Sequence, residues 1–244
     1  MTKKDLLFAL ILAVSIAVFI PFPFLKKIQD SFIYNPHYWY VAGFLKFALL
    51  STLGESLGLR LRKGVYNEKG FGLLPRAVVW GLLGLGIKMA FVIFASGTPV
   101  LLSHYFGMET AVESMKKPDI FAAAAAGLGW SRLITAFAVS AFMNLIFAPV
   151  FMTLHKITDT HIIDNGGTLK GFFKPVKFSE IFPSINWFVQ WDFVFKRTIP
   201  LFWIPAHTVT FLMPPQYRLV FAAVLGVVLG VLLTIAARKS DKPA

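Results

Sequence analysis

INWFVQWDFVFKRTIPLFWIPAHTVTFLMPPQYRLVFAAVLGVVLGVLLTIAARK, residues 185–239, is the stretch whose reading decides the fold. Trp187 to Arg197 is aromatic and partly charged. Ile199 to Met213 is apolar and interrupted by Pro200 and Pro205. After Pro214-Pro215-Gln216-Tyr217-Arg218 comes a clean apolar run to Ala237. Between Ile199 and Leu219, His207 and Arg218 stand two and three residues after a proline. Continuous apolar runs of this length argue for a bilayer as solvent. Proline-broken helix at membrane depth needs protein or water around it.

The rest of the chain agrees. It is 57% hydrophobic and 15% charged, with a mean hydropathy of +0.68, where a soluble chain carries roughly a quarter charged residues. In lipid every backbone N–H and C=O is paired internally, which leaves helices or closed barrels. Barrel strands alternate with period two, and these runs do not. The expected fold is therefore all-α: a polytopic helical membrane protein of five to six spans. We read residues 1–244 as one integral membrane domain, with 1–25 as an extra N-terminal span and 38–238 as the core. The formal charge of +12 fits cytoplasmic loops better than nucleic acid. The absence of cysteine excludes disulfides and thiolate metal sites.

Leu6 to Ile20 is the first apolar segment, ending at Pro21-Phe22-Pro23-Phe24; no small-x-small cleavage pattern follows, so it reads as an uncleaved span. The second span, 38–59, opens on the aromatic anchor Tyr38-Trp39-Tyr40 and contains Lys46 and Glu55. Arg60, Arg62, Lys63, Lys69 and Arg76 form a basic stretch before a third span at about 77–96, which carries Lys88. Residues 97–118 read as a short interfacial segment with Glu109 and Glu113 wet. The fourth span lies within 120–154, with Arg132, Asn144 and Pro149 inside it and a bend expected near 128–131. A polar loop is expected over 156–177, with Asp164-Asn165-Gly166-Gly167 as its turn. Trp187, Trp191 and Phe195 recur at one-face helical spacing. With six crossings, sixteen of the 24 Lys and Arg fall on the side of the N-terminus and five on the other, which places both termini in the cytoplasm and suits a plasma (inner) membrane. The weak crossing is 199–213, short and proline-rich, which either spans or re-enters.

Ionisable groups within spans point by default to function. Glu55, Lys88 and Arg132 form one candidate set, a carboxylate between two cations, with Asn144, His207 and Arg218 as further polar-core or pore candidates. The plainer alternative is structural: an ion pair holding helices in register, or lysines reaching to the interface. Gly54-x-x-x-Gly58 and Gly226-x-x-x-Gly230 are close-packing strips, compatible with a homo-oligomer. The histidines show no helical zinc spacing. His155, Asp159, His161 and Asp164 form the only His/Asp cluster, and a lipid-modifying enzyme would have to be built on it. No catalytic residue, metal or cofactor is assigned.

The same C-terminal stretch resembles the Mpv-seventeen and peroxisomal twenty-two-kilodalton membrane protein family. The likeness rests on Asn186-Trp187, Trp203-x-Pro205, Phe211 and Pro214-x-x-x-Arg218 before the last apolar helix. Upstream, Gly54-Glu55 stands where the family has Gly-Asp, and Asn144 with Phe147-Ala148-Pro149 is similar to its Asp-Gln before Phe-Ala-Pro. Met143 stands in place of that Asp, and the spacing from Trp203 to Pro214 is one residue off. The resemblance covers about residues 40–238. It implies a small channel-like protein for passive solute permeation with a role in membrane homeostasis, and no enzyme. A structural or assembly protein without a pore is the alternative.

Overall fold

The computed structural model describes residues 2–20 and 23–240, the side chains of 36 and 232–240 excepted. Among the described residues there are helices and turns and no strand. In chain order the α-helices are α1 (Lys3–Phe19), α2 (Lys26–Ile28), α3 (Trp39–Lys63), α4 (Leu73–Tyr105), α5 (Ala111–Lys116), α6 (Ile120–Ala125), α7 (Gly129–Asp164), α8 (Leu169–Phe172), α9 (Phe178–Ser184), α10 (Trp187–Val189), α11 (Ile204–Leu212) and α12 (Pro215–Ser240). Two of them, α4 and α7, are long and apolar enough to cross a membrane. At 1.5 Å per residue each is about 50 Å long. The chain groups into two units: residues 1–85, 159–176 and 219–244 form the first, and 86–158 with 177–218 the second.

The first unit holds α1, α3, the start of α4, α8 and most of α12. Thr2 and Asp5 close a capping box on α1, satisfying two of the backbone donors that a helix start leaves free. Asp5 also accepts from Arg60 Nε (2.8 Å) and Tyr66 Oη (2.9 Å), and Tyr66 stacks on Phe8 at 4.3 Å. The Arg60 guanidinium beside Asp5 holds that carboxyl well below the usual carboxylate range. At the other end of α1, Gln29 Nε2 donates to the carbonyls of Val18 and Ile20. The expected proline break there falls partly on Pro21 and Phe22, which lie outside the described residues. Lys46 is buried, its ammonium 5.2 Å from the Tyr34 ring centre; it is enclosed by aromatic rings and does not reach out to an interface. A Cβ at Gly84 would come within 2.5 Å of Phe47 Cβ, and one at Gly54 within 3.2 Å of Val227 Cα. Both glycines therefore serve close helix approach within the chain. Space is open around Gly58 and Gly226.

The second unit corrects three sequence expectations. The third span does not stop near 96: α4 continues through Pro99 to Tyr105, since one missing N–H removes one hydrogen bond and the flanking turns hold. What remains of the expected interfacial segment is α5, where exposed Glu113 pairs with Lys116 and Lys117. The polar loop is not a loop over 156–164, because α7 runs unbroken through Pro149 to Asp164. The bend anticipated near 128–131 lies just before it, between α6 and α7, where Gly127 takes φ 73°.

The third correction concerns the opening stretch. Residues 187–212 are helical throughout, α10 passing into a π-helical segment (Gln190–Trp203) and then into α11. Proline in an α-helix collides with the carbonyl four residues back. The wider i→i+5 winding, seen where Ile204 N–H donates to the Ile199 carbonyl, accommodates Pro200 without a break. Pro205 falls where the π-helical winding passes into α11. The Trp187–Trp191–Phe195 face divides, with Trp187 and Phe195 packed against buried residues. Trp191 is exposed, while Gln190, Thr198, Ile199 and Ile204 are buried.

Candidate polar core and its charges

On α7 the usual amphipathic order of a soluble helix is inverted. Arg132, Thr135, Ser140 and Asn144 are buried, whereas Trp130, Ile134, Phe137, Leu145, Ile146 and Val150 are exposed. The apolar surface faces outward and the polar stripe inward. Leu82, Met89, Val92 and Ile93 are similarly exposed on α4. Outward apolar patches of this extent mark a surface that something apolar covers.

Arg132, fully buried, is bonded to backbone. Its Nη1 donates to the carbonyls of Ser114 (2.9 Å) and Lys117 (3.0 Å), and its Nη2 to that of Phe211 (3.0 Å). The reason lies in the sequence that follows Phe211. The donors three and four residues on would be Pro214 and Pro215, and neither has an N–H. The Phe211 carbonyl is thus orphaned at the end of α11. Two arginines replace the missing donors: Arg132, and Arg218 through Nη2 at 3.4 Å, with Arg218 Nε also on the Met213 carbonyl (3.1 Å). The Pro214-x-x-x-Arg218 motif is in this way a self-capping corner, closed by an arginine from α7.

Asn144 and His207 meet in the same unit. Asn144 Nδ2 donates to the Ser140 carbonyl (2.8 Å), and the Asn144 amide pairs with His207 Nδ1, its Nδ2 at 3.0 Å and its Oδ1 at 3.2 Å. Ser140 Oγ donates to the Ile204 carbonyl (2.7 Å). His207 stacks on Trp203 (5.2 Å) and meets Phe91 edge-on (5.7 Å). His207 is thus oriented from one side by an amide and from two sides by rings.

Glu55 is organised by Arg76, the last cation of the basic stretch, at the start of α4. Arg76 bridges Glu55 and Asp159, lies 4.5 Å over the Phe71 ring and donates to the Phe71 carbonyl. Trp80 Nε1 also donates to Glu55, at 2.9 Å. Glu55 lies in the first unit with Arg76, and Lys88 and Arg132 lie in the second. The signal for Arg76 was its place in the first turn of an apolar helix, after Pro75. The His/Asp cluster also comes apart, with Asp159 on Arg76 and His161 on the Phe172 carbonyl (3.0 Å) and Asn165. Among the described residues no three His, Asp or Glu side chains are placed to hold a metal.

No family model, curated protein or solved structure matches the chain.

Proposed function

We propose that this chain is a polytopic helical membrane protein that lets small solutes cross passively. The observation that carries this reading is the inverted packing of α7, with apolar residues outward and Arg132, Ser140 and Asn144 inward. Lipid satisfies such an exterior, and charged or amide side chains in apolar helices belong to an interior path or polar core. Six crossings are supported by α1, α3, α4, α7, residues 187–212 and α12. On α1, Leu6, Leu7, Leu10, Ile11 and Val14 are exposed, as a lipid-facing helix requires. The unbroken helix over 187–212 favours a full crossing and not a re-entrant one, and with it both termini in the cytoplasm. The likeness to the Mpv-seventeen family at Trp203, Pro205, Pro214 and Arg218 points the same way, and a homo-oligomer through Gly58 and Gly226 is compatible with the open space beside them.

Purified protein in proteoliposomes loaded with solutes of graded size tests the reading. Size-limited leakage that scales with protein is the expected result; vesicles that stay tight at high protein load refute it. A reporter fused at the C-terminus should read cytoplasmic. A second reading, an assembly protein without a solute path, is favoured by the closure of Ser140, Asn144 and His207 on one another. It predicts tight vesicles and loss of a membrane complex on deletion.

A further inference from the structure

The second unit gathers positive charge that its own residues do not neutralise. Arg132 and Arg218 both reach the Phe211 carbonyl. Lys88 lies one turn before Phe91 on α4, and the Phe91 ring packs 5.0 Å from the Phe211 ring, so i and i+3 spacing puts Lys88 on the face turned to this corner. Lys88 and Arg218 are electrostatic neighbours, as are Arg218 and Arg132. Among the described residues no carboxylate lies within ion-pair distance of Lys88, Arg132 or Arg218. Asp119 caps α6, accepting from Ala122 N–H at 2.9 Å, and makes no ion pair with Arg132; its single charge offsets at most one of the three cations. Arg132 Nε is buried without a hydrogen-bond partner.

Neutral carbonyls solvate a guanidinium but leave its charge in place. Capping one carbonyl requires one donor; two arginines and a nearby lysine supply more charge than the corner uses. Uncompensated cations in an apolar interior are costly, and rings of Arg and Lys are how membrane proteins attract anions and phosphate. Arginine presents a planar fork suited to oxyanions, and lysine a point charge beside it.

We infer that Lys88, Arg132 and Arg218 form a binding site for a phosphate-type oxyanion, either free in solution or carried on a lipid headgroup. This rests on the permeation reading only for its consequence, that the solutes admitted are anionic; the site itself stands without it.

The clean variant is Lys88→Gln, because no hydrogen bond of Lys88 is lost with it, whereas the arginines also hold the corner. Inorganic phosphate is titrated onto the protein in phosphatidylcholine nanodiscs, with thermal unfolding and calorimetry as readouts. The wild type should bind and be stabilised, K88Q should bind about tenfold more weakly, the equivalent of one charge-assisted bond, and K88R should recover most of the affinity. Without phosphate, K88Q should unfold at or slightly above the wild-type temperature, because one of three like charges is gone; a lower temperature would mean that the variant damages the fold. Native mass spectrometry after exchange into phosphatidylglycerol nanodiscs forms the second arm. Retention of that lipid by wild type but not K88Q, with phosphate displacing it, assigns the site to a headgroup. Absence of binding in both arms, or binding that K88Q leaves unchanged, overturns the inference. Neutral-solute leakage without phosphate binding removes the site and leaves permeation standing; phosphate binding in vesicles that stay tight does the reverse.

Discussion

In the first unit Arg76 meets two carboxylates, Glu55 and Asp159; in the second, Arg132 and Arg218 meet backbone carbonyls. Both arrangements sit in apolar helices, and each gives a guanidinium oxygen acceptors, though Arg132 Nε is left without one. Only the first cancels its charge. The difference separates two uses of buried arginine. One fastens helices by setting a guanidinium between two carboxylates. The other repairs backbone groups that proline has stripped of donors, and leaves a positive field behind.

The largest expected effects come from removing each arginine. Arg132→Met leaves the carbonyls of Ser114 and Lys117 bare and weakens the shell of Phe211. At about 1–3 kcal/mol for each unsatisfied group, a loss of roughly 3–5 kcal/mol follows, read as thermal unfolding in detergent. Arg76→Met strands two carboxylates and should cost about 3–5 kcal/mol. The two losses part company on rescue. Adding Glu55→Gln and Asp159→Asn should restore much of the Arg76 loss, because the stranded charge is gone. Neutralising Asp119 should not restore the Arg132 loss; recovery there would erase the contrast.

A smaller effect probes packing along one helix. Gly84→Ala puts a Cβ against Phe47 and should destabilise by about 1–3 kcal/mol. Gly86→Ala, two residues on, meets nothing nearer than Phe147 Cζ at 3.8 Å and should stabilise by up to about 1 kcal/mol through helix propensity. Equal outcomes would mean that α4 approaches its neighbours alike in both units.

The smallest effect concerns Asp5. Its carboxyl is lowered in the folded chain by Arg60, so its contribution is complete above the ordinary carboxylate pKa of about 4 and fades as pH falls below that. Hydrogen exchange in α1 should quicken in acid for the wild type. Asp5→Asn should show the quickened rate already at neutral pH and little further change. An unaltered wild-type profile from pH 6 to 3 would detach α1 from this ion pair.

The helical class was legible in the sequence because apolar runs of bilayer length leave the backbone few other ways to pair. Residues such as Arg132, Asn144 and His207 announced themselves by polarity inside those runs. Their partners did not, because a carbonyl carries no letter: nothing in the string says that Arg132 will serve Ser114, Lys117 and Phe211. The helix ends at 105 and 164 were misplaced for a related reason. Pro99 and polar residues after 155 signal breaks locally, but a long helix held on both sides tolerates them.

By itself the sequence determined the all-helical class, the inventory of charges within apolar runs and, through Pro214-Pro215, that the end of α11 would lack donors. Tertiary structure alone decided which arginine filled that gap, that Glu55 belongs with Arg76 and Asp159, and that residues 187–212 stay helical through Pro200. Local propensities are properties of single residues. Charge pairing and carbonyl capping join residues up to 83 positions apart, as from Arg76 to Asp159, and their outcome depends on which backbone the packed helices bring within hydrogen-bonding reach.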